Sequence, residues 1–430
     1  MRPAALALLL AAAPAALASD PDDLRDRLDR QERRIQELEG RLAAIEGRAP
    51  SAPPAPADLD AALRRYLDSR PVDEAAIRVE RPANPRFRAG GYMTLAYRSP
   101  DGPSLNPSFE SVRVVPQFSF DISRGIEFAM ELEFGHGGAA DFLADGEAVV
   151  EYAEARFQVD EAFVPKAGVL LLPFLRYNQN HDDPLWNIAD RPFTATRVFH
   201  AAFAQPGVGA EGVIPLGGGN SFNYDIALGN GPDDEVTNLG FEDAETPFLE
   251  DNNNDKALWL RAGIAPRLPF LDAADLGVSF ARARLDPAGD VRMAAFGFDG
   301  KVVKDRFDLI FEWAGFDYDR PSAQPVASFP RGQSGGFVEL DTHLLRGLPP
   351  LANGLVGEGS DLVLALRHDG ANLNDRRTGA SVADDARALT LGLALRFTPK
   401  TVVRLDRRTE RNALGTRDLG AWTFSLSTYF

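Results

Sequence analysis

Residues 125–134 read GIEFAMELEF. Ile126, Phe128, Met130, Leu132 and Phe134 alternate with Glu127, Ala129, Glu131 and Glu133. A period of two sends the first set to one face of a strand and the second to the other. One face is greasy along its whole length and the other is largely acidic. In water such a strand has to cover a core. Where strand follows strand with no helices to cover them, the apolar faces need lipid instead.

The pattern continues on both sides of this stretch. Upstream, Val112, Val114, Pro116, Phe118, Phe120 and Ile122 oppose Arg113, Gln117, Ser119 and Asp121. Downstream, Phe222, Tyr224, Ile226 and Leu228 share a face, as do Phe307, Leu309, Phe311 and Trp313, and Leu389 to Phe397 at every second residue. About sixteen such segments fill 86–430, the even number expected of a bacterial barrel. Short connections (123–124, 217–220, 304–305, 399–400) alternate with long ones (99–108, 135–146, 173–206, 230–255, 319–334, 370–385). Short turns on one side and long loops on the other point to an all-β fold, a 16-stranded antiparallel transmembrane β-barrel. The chain ends LGAWTFSLSTYF, an amphipathic strand closing on Phe430. Such an ending resembles the assembly signal of outer-membrane barrels.

The N-terminus fits export. One Arg precedes an apolar run, Ala4–Leu17, and an Ala-x-Ala site, which marks 1–19 as a signal peptide. Residues 20–48 carry a heptad, with Leu24, Leu28, Gln31, Ile35, Leu38, Leu42 and Ile45 in the seam. This predicts an N-terminal coiled-coil helix in the periplasm. Residues 49–85 read as a Pro/Ala-rich linker with a short helix at 58–70.

The chain has no cysteine, and its formal charge is −17, with 46 Lys+Arg against 63 Asp+Glu. Packing or sheet closure, and not disulfides, must hold it. So acidic a chain argues against nucleic acid as a partner. The five histidines are scattered. No zinc-binding pair, nucleophile elbow or phosphate loop occurs, so no catalytic residue, cofactor or metal is expected. The acidic stretch 230–255 reads as a solvated outer loop, with divalent bridging to lipopolysaccharide as the alternative.

Residues 173–206 have no clean period and are long for a connection. Both charge signs and several aromatics alternate there, which suggests a loop folded into the barrel mouth. Arg176, His181, Asp182, Asp183, Arg191, Arg197 and His200 are the candidates for a pore constriction. A charged side chain facing lipid at mid-depth would cost about 2–4 kcal/mol for Arg or Lys. Strand parity therefore turns Glu127, Glu131, Arg261, Asp308, Glu312, Arg367, Arg396, Arg404, Asp406 and Arg408 towards the lumen. Arg282 and Arg284 fall in register with Val278 and Phe280, and so belong at the rim.

Residues 89–232 resemble the phosphate-selective porin O/P type of outer-membrane porin. The similarity lies in GGYMTLAY (Gly90–Tyr97), SFDISRGIEFAMELEFGHG (Ser119–Gly137), EYAEARFQV (Glu151–Val159), KAGVLLLPFLRYNQNHDDP and NYDIALGNG (Asn223–Gly231). The resemblance implies a sixteen-stranded, usually trimeric barrel whose third loop narrows a pore for passive solute flow. It also implies phosphate or anion selection by basic lumen residues, although this chain has few lysines. The expected function is an outer-membrane porin for small hydrophilic solutes or ions, with lipids and lipopolysaccharide around it. The alternative is an envelope protein that tethers the outer membrane to the cell wall through the coiled coil.

Overall fold

The computed structural model describes residues 87–102, 106–135, 147–233, 251–319, 330–347, 356–373, 385–412 and 418–430. The signal peptide, coiled coil and linker expected at 1–85 lie outside the described residues, as does most of 230–255.

Sixteen strands follow one another. They are β1 (Phe87–Pro100), β2 (Ser108–Ser123), β3 (Ile126–Gly135), β4 (Glu147–Phe157), β5 (Val164–Leu171), β6 (Ala204–Gly217), β7 (Asn220–Gly229) and β8 (Ala257–Ala265). The second half comprises β9 (Ala273–Arg284), β10 (Arg292–Lys304), β11 (Phe307–Asp319), β12 (Gly332–Arg346), β13 (Asp361–Asn372), β14 (Asp385–Thr398), β15 (Thr401–Asn412) and β16 (Asp418–Tyr429). Each pairs with its sequence neighbours, and β16 pairs back onto β1 to close the barrel. The closing seam is antiparallel, with Tyr92 opposite Tyr429 and Tyr97 opposite Phe424. Closure removes the free edges that a sheet would otherwise expose to pairing with other chains.

The short turns carry the residues their geometry requires. Gly125 between β2 and β3 has φ 77°, and Gly218 and Gly219 between β6 and β7 have φ 62° and 80°. Glycine occupies this left-handed region without the Cβ clash that other residues meet.

The alternation read from 125–134 holds round the cylinder. Phe280, Phe296 and Phe298 are exposed on the outside while Ser279, Ala281 and Asp299 are buried inside. Across β13 to β16 the outer face carries Leu366, Leu389, Leu391, Leu393, Leu405 and Phe424, all exposed. Contiguous apolar surface on this scale is not tolerated in water and fits a bilayer. Arg282 is exposed and Arg284 half-buried, one and two steps beyond Phe280 on the same outer face, where the rim was expected.

Candidate functional site

The connection between β5 and β6 is not a slack loop. Leu172 N–H donates to Phe203 O at 2.9 Å, so its two ends are stapled together. Leu175 then takes φ 63°, a strained value for a branched side chain, and its N–H donates to Ser279 Oγ on β9 at 2.9 Å. A short helix α1 (Arg176–Gln179), a 3-10 turn (Asp183–Leu185) and a π-helical turn (Thr194–Val198) follow.

One side of this loop is a hydrophobic core inside the barrel. Phe174, Phe193, Val198, Phe199 and Phe203 pack with Trp259 and Phe316 and with the small wall residues Ala281, Ala295, Ala314 and Ala388. Phe174 lies 5.6 Å from Trp259 and 5.4 Å from Phe316, ring centre to ring centre. Burying each ring contributes about 1.5–3 kcal/mol. Three wall glycines make room for the loop. A Cβ on Gly297 would stand 2.4 Å from Leu175, one on Gly335 2.6 Å from Val198, and one on Gly392 3.2 Å from Ile188.

The other side is polar, and its logic is that of a buried backbone. Amides and carbonyls taken out of water need partners, and the wall supplies them. Wall carboxylates accept loop N–H groups: Tyr177 N–H donates to Glu312 (2.8 Å), Ala189 N–H to Asp406 (2.7 Å) and Phe193 N–H to Asp369 (3.0 Å). Wall guanidiniums donate to loop carbonyls. Arg367 reaches Asp190 O (2.6 Å), Arg396 reaches Pro184 O and Leu185 O (2.8 and 3.0 Å), and Arg404 reaches Asp183 O and Trp186 O (2.8 and 3.1 Å). Side-chain pairs complete the ring: Arg176 with Asp275 (2.6 Å), Asn187 with Asp341 (2.7 Å), Arg197 with Glu410 (2.6 Å), and Asp182 with Gln117 and Tyr429 (3.1 and 2.9 Å). Arg113 lies 3.4 Å from Asp183, and Arg98 lies 3.2 Å from Asp190. The loop is held from β1, β2, β4, β7, β9, β11, β12, β13, β14, β15 and β16, on all sides of the lumen rather than along one wall.

Of the seven loop candidates, Arg176, His181, Asp182 and Asp183 are buried among these contacts. Arg191, 3.9 Å from Asp183, and Arg197 are partly exposed. His200 is exposed at the far end of the loop. The ten residues expected to line the lumen all point inward, but they divide into groups. Glu312, Arg367, Arg396, Arg404 and Asp406 bind the loop directly. Arg408 lies over the Phe193 ring at 4.7 Å. Arg261 is taken up by Asp299 (3.0 and 2.5 Å), and Asp308 by Lys301 (2.9 Å). Glu127 pairs with Arg88 near the short-turn end, and Glu131 is buried on β3.

Sequence reading missed Asp275, Asp369, Glu410, Tyr429 and Glu151. Asp369 and Glu410 follow Arg367 and Arg408 at the same parity, so that signal was present. Glu151 was hidden, because a bulge between β3 and β4 breaks the alternation there.

Loop charges are tuned by these neighbours. Burial opposes ionisation of Asp183, yet Arg113, Arg191 and Arg404 overcome it and hold the carboxyl below its usual value. Burial likewise opposes a charged His181, but Glu151 outweighs it and lifts the imidazole to about 9. The Asp251–Asp255 end of the acidic stretch is folded against the end of β9. Asn253 donates to Arg284 O (3.0 Å), and Lys256 caps Asp251 (2.5 Å).

No family model matches the chain. An uncharacterised protein of Aquifex aeolicus (strain VF5) is 26% identical over 129 residues, a match spanning 30% of this chain and 29% of that relative. Among solved structures, an anion-selective porin from Comamonas acidovorans superposes with TM-score 0.52 at 11% identity, over 80% of this chain and 99% of its own. OmpF of Salmonella typhi in complex with daunomycin gives TM-score 0.50 at 11% identity, covering 80% and 98%. A loop-deleted OmpT, an outer membrane protein of Vibrio cholerae, gives 0.50 at 10% identity, covering 80% and 99%. At these identities the likeness is one of fold: this chain closes into the sixteen-stranded antiparallel barrel of the outer-membrane porins.

Proposed function

We propose that this chain is a passive outer-membrane channel for small hydrophilic solutes and ions, narrowed by the loop 173–206. The observation that carries the reading is that loop, packed across the interior of a lipid-compatible barrel and hydrogen-bonded to its wall on all sides. A sixteen-stranded barrel is wide enough to leave an aqueous channel, and a loop fastened across it sets the bore. Loop and wall charges together would then set selectivity.

The phosphate or anion preference implied by the resemblance would need a row of basic side chains free to meet the solute. Here Arg88, Arg98, Arg113, Lys166 and Lys301 each sit against carboxylates, and Arg396 and Arg404 against loop carbonyls. With a formal charge of −17 on the chain, the field favours cations. At the outer rim Lys256, Arg282, Arg284 and Arg292 share one groove with Asp255, Asp317 and Asp319, a surface of both signs facing the lipopolysaccharide of this reading. A trimer belongs to the same reading.

Purified protein in planar bilayers should give stepwise conductance of uniform size, with a reversal potential in a potassium chloride gradient that reports cation preference. Silence over many insertions would refute the channel. A clear anion preference would refute the selectivity alone. The tethering alternative rests on residues 20–48, outside the described residues, and no observation favours it.

A further inference from the structure

Glu151 owes its direction to an irregularity in the ladder. Glu131 pairs with Tyr152 and Leu132 with Val150, so Glu151 is the extra residue of a β-bulge. Bulges re-aim side chains, often beside functional sites. This one turns Glu151 inward beside Glu131, and the loop delivers His181 to the pair. All three are at most 3% exposed. One ligand atom from each lies within 4.8 Å of the others. Atoms bound to one ion at about 2.1 Å would stand roughly 3–3.5 Å apart, so closing the set needs only small side-chain rotations.

Independent features point to an ion there. His181 Nδ1 is 2.9 Å from Asn178 O. A carbonyl can only accept, so Nδ1 carries a proton and Nε2 is the nitrogen that faces Glu151, at 3.4 Å. A ligating histidine is held in the same way, with its second nitrogen fixed by a backbone carbonyl. The Tyr92 hydroxyl is fully buried, has no hydrogen-bond partner among the described residues and lies within electrostatic reach of Asp182, Glu151, Asp183 and Glu131. A third carboxylate, Glu133, is taken up by Arg113 at 2.8 Å. Glu133 also stands against Glu151, so three buried carboxylates crowd this corner of the wall.

We infer that Glu131, Glu151 and His181 form a binding site for a divalent transition metal of the zinc or manganese class, which ties the loop to the β3–β4 wall. One imidazole nitrogen with two carboxylate oxygens suits such ions.

The test uses the full-length protein in detergent, stripped with EDTA and titrated calorimetrically with zinc and with manganese. One ion per chain is expected, with affinity reduced at least tenfold in Glu151→Gln and in His181→Gln and unchanged in His200→Gln. Heat-modifiable gel migration confirms that each variant is folded, and Glu131→Gln replaces any that is not. Wild-type protein that binds neither ion, or binding retained in the folded variants, overturns the proposal. The assay reads ion binding and not permeation, so it fails separately from the channel reading.

Discussion

Arg404 is 1% exposed and reaches from β15 to two loop carbonyls and to Ser425 Oγ at 2.8 Å. Arg404→Ala would leave Asp183 O and Trp186 O without these donors, at about 1–3 kcal/mol for each group left unsatisfied. A thermal midpoint lowered by several degrees and a noisier, larger unit conductance are expected; if both match wild type, the anchoring role is refuted. Arg404→Lys should recover only part, since one ammonium can serve the two carbonyls but cannot also reach Ser425 and Ser427, which the other guanidinium nitrogens hold. At the mouth, Asp101 accepts from Arg407 at 2.9 and 2.6 Å. That bond holds the Asp101 carboxyl below its ordinary value. A depressed carboxylate contributes stability above its unfolded value of about 3.9 and loses it as pH falls through the folded one. The gap in melting temperature between wild type and Asp101→Asn should therefore be small at pH 7, because both groups are exposed, and absent in strong acid. A gap that widens on acidification would contradict this.

At the scale of elements, the wall and the loop are shaped to each other. On Gly392 a Cβ would meet Asp406 Oδ1 at 2.5 Å as well as Ile188. Gly392→Val should displace the loop near Ile188, costing about 1–3 kcal/mol as overpacking does. Faster cleavage within 173–206 by added protease is the expected sign; cleavage at the wild-type rate would mean the fit is loose. Much of this architecture was legible. The strands announce themselves because lipid on one side and water or packed polar groups on the other impose a strict period of two, and turn glycines punctuate them. The loop was legible as a packed segment from its length and mixed content. Its partners were not. Asp183 meets Arg404, and Phe193 meets Asp369, through contacts between residues far apart in the chain that no local period encodes. Alanines on β9, β10, β11 and β14 carry no signal of their own in a period of two, yet they floor a hydrophobic core. Glu151 escaped because one inserted residue shifts the parity on which the reading depends.

For the whole molecule, the barrel and the loop are separable in principle. The ladder that closes the barrel runs from strand to strand, whereas the buried backbone of the loop takes its partners from the wall. Replacing 176–200 by a short Gly-Ser turn should leave a heat-modifiable barrel of lower melting temperature whose unit conductance at least doubles. Unchanged conductance would show that the bore is set elsewhere. The wall that grips the loop is drawn largely from the last third of the chain. Asp182 waits for Tyr429 across 247 positions, and Asp183 for Arg404 across 221. Contacts so distant in sequence form late, because their chain-closure entropy must be met first. During assembly the loop therefore stays only partly moored until the final staves insert, and its full docking reports that the cylinder is complete. A chain stalled before its last hairpin would leave that segment open to periplasmic proteases, which would mark it for removal ahead of finished barrels.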